Sequence, residues 1–142
     1  MRIGIDVVDL GRMRRIADDY GPAAAGTLLA PDEHAALAGL DAAGRARAIG
    51  VAVGVKEAWL KAHGRRPPGW LFPHAHYVPG DQDAPSALLD AALADFAHDL
   101  GTPPAGTGRV TALPGAPAPA GTTAGWAWHA PYEHWLISAV VV

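Results

Sequence analysis

Residues 42–64 read as one long helix, and two glycines four apart within it, Gly50 and Gly54, constrain the fold more than any other feature of the chain. Each costs about 1 kcal/mol of helix propensity relative to alanine. Close packing of another backbone is the expected compensation. The second half of the run, Val53-Gly54-Val55-Lys56-Glu57-Ala58-Trp59-Leu60-Lys61-Ala62-His63-Gly64, sets an acid and two lysines into an otherwise apolar helical pattern. Gly64 reads as its C-terminal cap.

A strand opens the chain. In Ile3-Gly4-Ile5-Asp6-Val7-Val8-Asp9, strict alternation puts Ile3, Ile5 and Val7 on one face and Gly4, Asp6 and Val8 on the other. Asp6 is the sharpest local anomaly, because an unpaired carboxylate among apolar neighbours is expensive to bury. Taken alone, it reads as a solvated side chain or as an acceptor for backbone donors. Glu57 and Lys61, four apart in the favourable order, read alone as a surface ion pair worth a few tenths of a kcal/mol. Lys56 reads as solvated.

Between and beyond these segments the pattern alternates helix and strand. Asp9 caps a helix whose apolar stripe is Leu10, Met13, Ile16, Ala17 and Tyr20, with Arg12, Arg14 and Arg15 on its outer side. Gly21-Pro22 stops it, and residues 23–29 stay ambiguous. Pro31-Asp32-Glu33 starts a short helix through Leu37 and Leu40. Residues 70–78 contain a strand interrupted by Pro73 and best placed at a sheet edge. Residues 84–100 read as a helix, with Leu88, Leu89, Ala92, Leu93 and Phe96 inside and Asp90, Asp95 and Asp99 outside. A short strand at 109–113, a Pro/Gly/Ala loop at 114–125 and two terminal strands complete the chain, the last one apolar enough to be central. This order gives an α+β fold, helices packed on a mainly antiparallel sheet.

With 142 residues, half of them apolar, the chain has the size of a single domain with a substantial core. A net charge of −3 gives no reason to expect nucleic acid as partner. No apolar run reaches the ~18 residues of a membrane span, and no signal peptide precedes the first strand. The absence of cysteine removes disulfides and thiolate metal sites. A cytoplasmic protein is the expectation. His74 and His76 would share one strand face but lack a third matching metal ligand. No Walker loop, dinucleotide fingerprint, Gly-x-Ser-x-Gly elbow or His-Glu-x-x-His motif occurs.

Three segments together resemble the 4′-phosphopantetheinyl transferases, of the short holo-acyl-carrier-protein synthase type. They are Ile3-Gly4-Ile5-Asp6-Val7-Val8-Asp9-Leu10 with Arg12, then Leu29-Ala30-Pro31-Asp32-Glu33, then Lys56-Glu57-Ala58-Trp59-Leu60-Lys61-Ala62-His63-Gly64. The resemblance covers the first 64 residues in motif, order and spacing, and beyond them mainly the order of elements. It implies transfer of the phosphopantetheine arm of coenzyme A to a serine of an apo acyl carrier protein, with adenosine 3′,5′-bisphosphate as leaving group. Asp6 and Glu57 match the family's Mg²⁺ ligands, and Lys61 matches the lysine that contacts a phosphate. Gly64 would let the chain approach coenzyme A, His129 matches a histidine at the cofactor site, and Glu57 or a water it orients could take the serine proton. Arg12, Arg14 and Arg15 match a basic first helix that docks the acidic carrier protein. A homotrimer with sites between subunits is also implied.

The chain departs from the family at Ala52, at the tryptophans before His129, and in the segment 84–125, which is longer than the family pattern leads one to expect. Ala52 stands where an arginine is usual, and Arg45, Arg47, Arg65 or Arg66 could compensate for it. In Trp126-Ala127-Trp128-His129, tryptophans replace two small hydroxyl residues, and their rings could fill part of the coenzyme A site. Two other readings accompany the first. A repurposed member of the fold could act on an acyl chain tethered to a carrier protein, or a non-catalytic subunit could bind the carrier through its arginines.

Overall fold

Residues 1–80, 87–99, 101, 106–121 and 124–142 are described by a computed structural model. Its elements are β1 (Ile3–Asp9), α1 (Leu10–Leu28), α2 (Pro31–Ala35), α3 (Ala42–His63), β2 (Ala75–Pro79), α4 (Ala87–Asp99), β3 (Gly106–Ala112), β4 (Gly125–Tyr132) and β5 (Trp135–Val141). The strands form one sheet in the order β1-β5-β4-β3-β2, every pair antiparallel. The expected α+β class and element order stand. So does the edge position of β2, with Pro73 in a 3₁₀ turn (Phe72–His74) just before it.

α3 lies across one face of the sheet, and its glycines explain how closely. A Cβ on Gly54 would stand 2.7 Å from Ser138 Oγ, and one on Gly50 would stand 3.1 Å from Leu10. The tightest approach comes from the other partner: a Cβ on Gly4 of β1 would lie 1.9 Å from the Ala58 carbonyl oxygen. The core on this side gathers Val8, Ile49, Val55, Trp59, Tyr77, Val110, Leu136 and Val140 among others. On the opposite face Trp126, Trp128, Ala130, Ile137, Ala139 and Val141 pack with Leu93 of α4, and Phe96 meets the Trp128 ring at 6.0 Å.

Several local expectations change. Gly21 takes a left-handed φ of 55° and kinks α1, but Pro22 restarts the helix and it continues to Leu28, burying Ala24 and Ala25. Tyr20, expected in the apolar stripe, is exposed. α2 ends at Ala35, short of Leu37 and Leu40. α4 spans Ala87–Asp99, with Leu93 buried and Asp95 and Asp99 exposed. Residues 84–86 and 100 of the expected helix, and the side chains of Leu88, Leu89, Asp90 and Ala92, lie outside the described residues. β3 begins at Gly106, three residues before the expected strand.

The charged interior was not foreseen. Lys56, expected in solvent, is fully buried, with Nζ 2.5 Å from Glu33 Oε2 and 3.2 Å from the Leu28 carbonyl. Burial pulls its pKa below the ordinary lysine value, and the Glu33 carboxylate counteracts that. Glu33 also accepts the Ala30 and Tyr77 amides at 2.7 Å each. One carboxylate therefore ties α2 to α3 and β2.

Candidate active site

Asp6 alternates onto the α3 face of β1, beside Gly4 and Val8 and in register with Ser138 of β5. The missing Cβ of Gly4 lets α3 settle against β1, which brings the last turns of the helix to the acid. Lys61 Nζ then donates to Asp6 Oδ1 at 2.6 Å and to the Ile5 carbonyl at 3.1 Å. The lysine is therefore not the partner of Glu57, four residues earlier. Glu57 Oε1 instead accepts from Arg66 Nη2 at 2.6 Å. Asp6 and Glu57 thus sit on two elements locked together by Lys61, and each carboxylate faces a side-chain cation.

Glu57, Leu60, Lys61, Gly64, Arg65 and Arg66 line an open cleft of about 330 Å³. Gly64 ends α3 in the left-handed region (φ 79°), its N–H donating to the Lys61 carbonyl, as a glycine cap requires. Without a side chain there, one wall of the cleft is bare backbone. Among the described residues no three His, Asp or Glu side chains come together as a closed metal cage. Glu57 in the cleft and Asp6 behind Lys61 are both partly exposed carboxylates, the donor type that suits Mg²⁺, a hard cation that fills its remaining positions with phosphate oxygens and water.

The other proposed residues lie at separate positions. Arg12, Arg14 and Arg15 are exposed on the first turns of α1, where Asp9 caps the helix by accepting the Arg12 amide. Arg14 reaches Asp18 at 3.8 Å. His129 is buried on the α3 face of β4, in register with Ser138, its ring edge-on to Tyr77 at 5.9 Å. Burial, with the charge of Arg47 adding, pushes its pKa down to about 4. His74 and His76 have separate partners: His74 Nδ1 accepts the Leu71 amide, and His76 pairs with Asp32.

Trp126 and Trp128, whose rings could fill part of a coenzyme A site, lie away from the Asp6 side. Both rings belong to the opposite face of the sheet from Asp6, against α4, with Trp128 almost wholly buried. Period-two alternation in β4 makes this inevitable once Ala127 and His129 face α3. Ala52 is also buried in the core and does not line the cleft. Of the four arginines that could compensate, Arg65 and Arg66 do line it. The sequence carried a signal for them, two adjacent basic residues directly after a glycine cap, but nothing that chose them over Arg45 and Arg47.

A sequence model of the 4′-phosphopantetheinyl transferase superfamily matches residues 2–99. Among solved structures, a holo-ACP synthase from Plasmodium yoelii superposes with a TM-score of 0.68 at 15% identity, over 98% of this chain and 91% of that one. The holo-acyl-carrier-protein synthase of Neisseria meningitidis gives 0.57 at 20% identity, over 98% and 94%. That of Thermotoga maritima gives 0.56 at 13% identity, over 98% of this chain and 61% of the other. The fold is therefore shared with these synthases. No curated protein sequence matches.

Proposed function

The chain belongs to the 4′-phosphopantetheinyl transferase superfamily, and we propose that it transfers the phosphopantetheine arm of coenzyme A to a serine of an apo acyl carrier protein, in an Mg²⁺-dependent reaction. The observation that carries this reading is the Lys61–Asp6 bond, which joins the acid of β1 to the helical turn bearing Glu57 at the rim of an open, basic cleft.

Each residue has a role that its surroundings support. Asp6 and Glu57 would hold Mg²⁺, which when bound neutralises pyrophosphate charge. Lys61, already oriented by Asp6 and the Ile5 carbonyl, donates to a phosphate oxygen. Glu57, or a water it orients, accepts the serine proton as the hydroxyl oxygen bonds to the β-phosphorus. The bond from that phosphorus to the bridging oxygen breaks, and adenosine 3′,5′-bisphosphate departs carrying the bridging oxygen. Gly64 leaves room for coenzyme A to approach. Arg12, Arg14 and Arg15 steer an acidic carrier protein, since exposed like charges on one helix raise the encounter rate with a complementary partner.

A homotrimer belongs to the same proposal. Ile3, Ile5 and Val7 stand about half exposed on the outer face of edge strand β1 (51%, 51% and 53%) and continue a face formed by Ile137, Ala139 and Val141. Such a stripe favours cover by another copy. His129, matched to the cofactor site by the family pattern, would take part from its buried position beneath Tyr77 only if coenzyme A reached the β3–β4 side of the sheet.

Incubation with coenzyme A, Mg²⁺ and an apo acyl carrier protein should release adenosine 3′,5′-bisphosphate, read by chromatography, and EDTA should stop the release. Release unaffected by EDTA would remove the metal from the reading. Absence of release with every carrier supplied would remove the transferase.

A further inference from the structure

We propose that Arg66 binds a phosphate of coenzyme A in this cleft. The inference rests on the transferase reading and adds a residue to it. After the Gly64 cap the chain runs Arg65-Arg66-Pro67-Pro68-Gly69-Trp70. A tight turn closes this segment: the Trp70 N–H donates to the Pro67 carbonyl at 3.1 Å, and Gly69 takes a φ of 72°. Proline and glycine at the centre are what such a turn requires. Its effect is to bring Trp70 back beneath Arg66. The guanidinium carbon lies 5.2 Å from the Trp70 ring centre and 5.6 Å from that of Phe72, and the two rings meet edge-on at 5.2 Å.

A surface ion pair with Glu57 would need none of this support. Trp70 is only 4% exposed, so the ring is part of the core and its shelf does not move with solvent-exposed side chains. Stacking on aromatic faces fixes the plane of a guanidinium. Arg66 itself is about half exposed and lines the cleft with Lys61 and Gly64. One of its five N–H donors goes to Glu57, leaving others for oxygens entering the cleft, in the forked geometry that phosphate accepts. The cleft is lined by three cations, Lys61, Arg65 and Arg66, and one carboxylate, Glu57, while Asp6 bonds Lys61 from outside the lining, so its charge balance is positive toward an incoming pyrophosphate.

Calorimetric titration of the whole chain with coenzyme A, and separately with pantetheine, which lacks phosphate, tests this. Arg66→Ala and Arg66→Gln should each weaken coenzyme A binding about 10- to 100-fold, the loss of charge-assisted bonds, and leave pantetheine binding unchanged. Arg66→Lys should recover part of the affinity but not the forked contact. Unfolding midpoints equal to wild type show that the variants fold. A folded Arg66→Ala or Arg66→Gln chain that binds coenzyme A as wild type does would overturn the role of Arg66 and leave the transferase standing. Wild-type chain that binds no coenzyme A would overturn both.

Discussion

Lys56 and Lys61 stand five residues apart on α3 and meet opposite surroundings. Lys61 reaches out of the helix to Asp6, whereas Lys56 is buried against Glu33. The sequence could not separate them, because the helix is apolar almost all round and offers no polar face by which to orient a lysine. Only the partners decide, and those lie 55 and 23 residues away. Asp6 and Glu57 were legible as site candidates, but through the family pattern; Arg66 was one of four equivalent arginines until the turn below it was seen. His129 gives a prediction at the same scale. In the folded chain its pKa is about 4, against 6.5 for a free histidine. The unfolded chain therefore binds the proton first. Stability from this residue is fully present above pH of about 6.5, falls as the pH drops, and levels off below about 4, with a total loss of about 3 kcal/mol. Urea unfolding followed from pH 7.5 to pH 4 should show that loss, and His129→Gln should flatten it. A slope unchanged in His129→Gln would place the titration elsewhere.

At the scale of elements, the contact that makes the site is β1 against α3. Gly50 and Gly54 announced a close neighbour through their helical spacing, but the decisive glycine, Gly4, was silent because a lone glycine in a strand has many explanations. A methyl group at Gly4 meets backbone atoms of Ala58 and Ala62, which cannot rotate away. Gly4→Ala should cost about 3 kcal/mol or more in chemical unfolding, and should impair the reaction by parting Asp6 from Lys61. Gly26→Ala is the control. Its Cβ meets nothing within 4 Å and its φ is ordinary, so stability should hold or rise by a few tenths of a kcal/mol. Equal effects of the two changes would contradict the packing argument. The placement of Trp126 and Trp128 belongs to this scale too. Both faces of β4 and β5 are covered, so neither shows the polar residues that mark a solvent side, and alternation says only which residues share a face.

For the molecule as a whole, the order of elements was readable because each long helix and strand had its own period. Which face of the sheet each helix covers was not, since that depends on contacts between distant segments. The exposed stripe Ile3, Ile5 and Val7 carries the whole-molecule prediction. Light scattering on the eluted protein should give the mass of three chains, and Ile5→Asp, which puts a charge into the stripe, should give one. A wild-type mass of one chain would contradict the trimer. No described helix is long and apolar enough to cross a membrane. The most direct test of the central claim is the intact mass of an apo acyl carrier protein after incubation with coenzyme A, Mg²⁺ and this chain. The carrier should gain one phosphopantetheine, and folded Asp6→Ala and Glu57→Ala chains should leave it unmodified. A carrier that gains nothing from the wild-type chain, or that is modified equally by both variants, would contradict the account.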